Sequence, residues 1–86
     1  MATIWRLPKA LAESGKTRSP WYADIARGLM TRPVKISGAR AAGYPAHEVQ
    51  AIINARVAGA NDDELRALVD RLHDARKAAA SMPLAA

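Results

Sequence analysis

Glycine and proline cut this chain into short segments, so it can fold only as a small assembly of brief elements. Gly15, Gly28, Pro33, Pro45 and Gly59 supply the cuts. A glycine adopts the left-handed conformation that ends a helix. A proline lacks the N–H that a helix needs and pushes its predecessor out of helical space. Leu7 to Ser14 reads as a short helix, with Pro8 in its first turn, Leu7 and Leu11 on one face and Gly15 as its stop. A second helix begins around Thr17 to Ser19, where a hydroxyl can cap it and Pro20 suits the first helical position. Trp21, Ile25 and Leu29 form a narrow apolar stripe at four-residue spacing, and Arg18, Asp24 and Arg27 take the opposite face. Two helices across a tight glycine-bearing turn make a helix-turn-helix candidate.

The period then changes. Val34 and Ile36 alternate with Lys35 and Ser37, Ser37-Gly38 is a turn signal, and Ala39 to Tyr44 can return as a second strand. A basic hairpin directly after a helix-turn-helix reads as a wing. Pro45 opens a third helix with Glu48 in its first turn, where the helix dipole favours a carboxylate. Val49, Ile52, Ile53 and Val57 make the expected buried face, and Glu48 is a candidate partner for Arg40. Asn61 and Glu64 form a capping box for a last helix striped by Leu65, Leu68, Val69, Leu72, Ala75 and Ala79. The fold expected is mainly α with a small β-hairpin: a winged helix-turn-helix over residues 1–60, a C-terminal amphipathic helix over 61–80, and a tail over 81–86. The last helix either packs on the domain or mediates oligomerisation.

Charge is distributed unevenly. Residues 1–44 hold eight Lys and Arg against Glu13 and Asp24, for a net +6, whereas residues 45–86 hold five against six acids, for −1. A cationic half points to a polyanionic partner. Cysteine is absent, so there is neither a disulfide frame nor a thiolate metal site. His47 and His73 stand far apart in sequence and suggest no metal. Arg6 and Lys9 interrupt any apolar N-terminal segment, and no run approaches the roughly 20 residues that span a bilayer. The expectation is a cytoplasmic, nucleoid-associated protein with no cofactor and no membrane contact. No nucleophile–base pair, phosphate loop or acid dyad is visible, so a non-enzymatic protein is expected.

The stretches RLPKALAESGKTRSPWY and PVKISGARAAGYP, and the helix start HEV, resemble the AlpA family of small phage and prophage regulators. That family is itself similar to excisionases and to the DNA-binding domains of MerR-type regulators. The likeness covers roughly residues 5–58. Pro20 stands where the family usually carries a small hydroxyl residue, and Trp21 where it carries an aliphatic. The resemblance implies a MerR/excisionase-like winged helix-turn-helix that binds promoter or attachment-site double-stranded DNA. It also implies an integrase or other recombinase, or RNA polymerase, as a protein partner, and a cooperative head-to-tail array on DNA; the long apolar stripe of the last helix offers a homodimer as the other form of association.

On this reading the end of the second helix enters a major groove, where base contacts cluster. Lys16, Thr17, Arg18 and Ser19 stand there, with Tyr22 one turn on and Arg27 farther along. Arg18 suits a two-point contact with guanine, or is a solvated cap residue. Thr17 and Ser19 suit phosphate oxygens. Tyr22 bonds phosphate or packs against the wing, and Trp21 belongs to the core. Lys35, Ser37 and Arg40 at the hairpin suit a minor groove or phosphates; alternatively, the charges guard an edge strand against aggregation. Leu65, Leu68, Val69 and Leu72 are the candidates for association. The function expected is sequence-specific DNA binding by a mobile-element transcriptional regulator or excisionase. The alternative is a small adaptor or antirepressor that docks through its last helix.

Overall fold

The structure, a computed structural model, describes residues 3–37 and 41–81. Among these residues, four helices accompany a three-stranded antiparallel sheet. The elements are β1 (Ile4–Trp5), α1 (Leu7–Ser14), α2 (Arg18–Ala26), β2 (Val34–Ser37), β3 (Ala41–Pro45), α3 (Ala46–Val57) and α4 (Asp62–Ser81). The sheet order is β1-β3-β2. Strand β1 was not expected from the sequence, because two residues are too few to show a period of two. It pairs Ile4 with Pro45 and Trp5 with Tyr44. The amide of Ala46 extends this clasp by donating to the Thr3 carbonyl at 2.7 Å.

The helix boundaries follow local chemistry. Gly15 ends α1 at φ 73°, and its amide donates to the Leu11 carbonyl at 2.9 Å. Thr17 caps α2 without a side-chain bond, so Pro20 falls third in the helix rather than first. That place is tolerated because the first helical amides have no internal acceptor. Gly28, at φ 76°, stops α2 earlier than the apolar stripe implied. Leu29 is buried as expected, but from the connection after the helix rather than from the helix itself. Met30 and Thr31 follow it into the interior. The expected capping box at the start of α4 is present in both directions: Glu64 N–H donates to Asn61 Oδ1 at 2.8 Å, and Asn61 N–H to Glu64 Oε1 at 3.0 Å.

The core lies where α1, α2, α3, α4 and the inner face of the sheet meet. Trp21 is fully buried and meets Tyr44 edge to face, with centroids 4.9 Å apart. Burial pushes the Tyr44 phenol above its usual range. Val49 and Ile52 of α3 and Leu65 and Val69 of α4 complete the interior. Val57 was expected on the same face but is 83% exposed, because helical spacing turns it away from the side of α3 that Glu48, Val49 and Ile52 bury.

Two buried carboxylates tie the elements together. Glu48 of α3 is fully buried and receives both arms of Arg76 from α4, with Nε to Oε2 at 2.7 Å. Arg40, the partner that the sequence offered for Glu48, lies outside the described residues. Arg76 also donates to the Arg32 carbonyl at 2.7 Å, and the Arg32 amide donates to His73 Nε2 at 3.1 Å. Asp24 is the second buried carboxylate. Helical spacing put it on the solvent face of α2, yet it accepts from Lys16 and from Arg56 of α3.

Candidate nucleic-acid interface

The residues expected to act together divide into two groups once tertiary contacts are known. Lys16 leaves the candidate surface: its side chain is 21% exposed and its ammonium is bound to Asp24. The cause is convergence, since the α1–α2 turn and the end of α3 both deliver a cation to one buried carboxylate. Arg27 turns to the start of α4, with Nη2 3.3 Å from Asp62 Oδ2, while its carbonyl accepts from Arg66 Nε at 3.0 Å. Its side chain stays 57% exposed, so this surface pair links α2 to α4 while leaving the guanidinium open to solvent.

The second group stays in solvent and comes together. Thr17, Arg18 and Ser19 are exposed at the first turn of α2, and Tyr22, one turn on, is 51% exposed. Arg18 and Tyr22 share one side of the helix because residues four apart are neighbours. They line an open cleft of 290 Å³ together with Arg6, which sits between β1 and α1. Pro8, Pro33 and Ala42 supply apolar walls. Lys35 of β2 is exposed and registers opposite Ala42 of β3, so it projects from the same face of the sheet as that wall residue. Arg40 and the Ser37 side chain lie outside the described residues.

Electrostatics separates the groups more sharply than position does. Among the described residues, Arg6, Arg18 and Lys35 take part in no ion pair, nor do Arg32, Arg71 and Lys77 elsewhere, whereas Lys9, Lys16, Arg27, Arg56, Arg66 and Arg76 are each matched to a carboxylate. The residues lining the cleft include no acid. Its polar lining is that of an anion site: planar guanidinium donors and a phenol hydroxyl. Sequence reasoning missed Arg6 as a functional candidate. Its signal was the Ile4-Trp5 pair ahead of it, which only strand pairing converts into a position beside α2.

The surface considered for association is largely used within the chain. Leu65 and Val69 are buried in the core at 1% and 2% exposure, and Leu68 and Leu72 pack at its margin, half-buried. This corrects Leu65 and Val69 as association residues, since the amphipathic stripe of α4 covers α3. Among the described residues, no group of His, Asp and Glu is placed to hold a metal ion, and no helix is long and apolar enough to cross a membrane. No protein-family model, characterised protein or solved structure matches the chain.

Proposed function

We propose that the protein binds double-stranded DNA, with the start of α2 in the major groove and the β2–β3 hairpin beside it as a wing. One observation carries this reading. The cations without carboxylate partners at the start of α2 and on the sheet, Arg18 and Lys35, open onto one side together with Arg6. A surface whose positive charge is left unmatched attracts polyanions, and a helix end next to a hairpin fits duplex grooves. Arg18 reads a base edge, Thr17 and Ser19 contact phosphates, and Lys35 follows the backbone or minor groove. The resemblance of residues 5–58 to AlpA-like regulators and excisionases is in keeping with the same winged arrangement, and the role proposed on it is control of a mobile element, as transcriptional regulator or excisionase.

Selection of bound sequences from random duplex DNA tests the reading, followed by anisotropy titration of the recovered site against salt. Three to four phosphate contacts give a log–log slope of about −3 to −4. Arg18→Ala should lower specific binding by about 1–3 kcal/mol while sparing non-specific binding. Recovery of no enriched sequence, with a flat salt response, would refute the proposal.

A further inference from the structure

We infer that the cleft between Arg6, Arg18 and Tyr22 is the seat of a single backbone phosphate, with Arg6 as an anchoring residue for it. This rests on the DNA reading above and goes beyond it, because Arg6 belongs to neither the helix-turn-helix nor the hairpin. Strand β1 is what brings it there. The pairing of Trp5 with Tyr44 fixes the backbone just before Arg6 against β3, and the Arg6 carbonyl accepts the Ala10 amide at 3.0 Å as α1 begins. The main chain on both sides of Arg6 is thus held, while its side chain, free of ion pairs, remains in solvent beside Arg18.

The three groups have the chemistry of a phosphodiester site. The Arg6 guanidinium offers a forked donor that matches phosphate oxygens, the Tyr22 hydroxyl adds a second, and Arg18, whose fork reads the base edge, lends the seat only its positive charge. The walls formed by Pro8, Pro33 and Ala42 have no charge and suit the apolar face of a deoxyribose. With no acid among the lining residues, a cation is not what the site selects.

The experiment uses the full chain and a duplex from the selected site. Arg6→Gln should weaken binding to all sequences alike and make the salt slope shallower by about 0.9, the share of one phosphate. Arg6→Lys should keep the slope, since it keeps the charge. Neutral methylphosphonates placed one at a time along the duplex should then reveal one position that weakens the wild type but has no further effect on Arg6→Gln. Circular dichroism melts of both variants report whether the fold is retained. If the wild type binds DNA and both Arg6 variants match it in affinity and slope, the phosphate seat is wrong while the DNA reading survives. If the wild type binds no duplex, both fall together. Tight binding of inorganic phosphate to the free protein, without any methylphosphonate effect, would make the cleft a small-anion site and overturn the assignment.

Discussion

The buried pair of Glu48 and Arg76 should be the most costly single contact in the molecule to break from one side. The Glu48 side chain is 1% exposed and that of Arg76 is 25% exposed. Two charge-assisted bonds join them, and a third runs from Arg76 to the Arg32 carbonyl at 2.7 Å. Arg76→Met keeps the aliphatic bulk and removes all three donors, leaving a carboxylate in the interior without a counter-charge. Removing one partner of a buried pair costs about 3–5 kcal/mol; the partial exposure of Arg76, which lets water in, argues for about 3. A domain of this size has roughly 4–13 kcal/mol in all. With a urea m-value of about 1–1.5 kcal/mol/M, the midpoint should fall by about 2–3 M. Glu48→Leu should cost less, because the stranded guanidinium can turn to solvent. The double variant should recover much of the loss of Arg76→Met, since an apolar replacement of a buried pair is often close to neutral. Equilibrium unfolding followed at 222 nm measures all four proteins. An Arg76→Met unfolding free energy within about 1 kcal/mol of wild type, or a double variant no better than it, would refute the placement of this pair.

Three further outcomes follow from the same contacts. Burial, then the neighbouring Arg32 and Arg76 charges, hold the His73 imidazole below its usual range, and its Nε2 accepts the Arg32 amide only when unprotonated. Its contribution is therefore complete above the unfolded value of about 6.5 and declines as pH falls toward the lower folded value; His73→Gln should flatten that part of the midpoint-versus-pH curve, and an unchanged curve would remove the assignment. Gly43→Ala should destabilise by about 1–3 kcal/mol, as the added methyl would stand 2.5 Å from Ile4 Cγ2, 2.9 Å from Ile36 Cδ1 and 3.0 Å from the Trp5 carbonyl; a neutral urea midpoint would show that the strands separate freely there. Truncation after Ala60 removes Leu65, Val69 and Arg76 and should abolish cooperative unfolding in a calorimeter; a cooperative transition in the truncated chain would mean that α4 is not part of the core.

Local chemistry was readable without a fold. The Gly15 stop, the Asn61–Glu64 capping box, the Val34 strand and the burial of Trp21 depend on neighbours a few residues away, and all stand where the sequence put them. The limits of this local view appear at charged residues. Lys16 and Asp24 look like solvent-facing groups when helical spacing alone is considered, and Glu48 looks like a dipole contact. Each instead finds a partner through packing: Arg56 from 32 residues beyond Asp24, and Arg76 from 28 beyond Glu48. A short strand such as β1 is hidden for the same reason, because two residues have no period and acquire meaning only when Tyr44 and Pro45 lie alongside. Sequence determines which segments are helical, which are apolar and how much positive charge the first half carries. Only the tertiary structure decides which of those cations are consumed inside the fold and which are left for a partner, because ion pairing depends on distance in space and the chain does not record it.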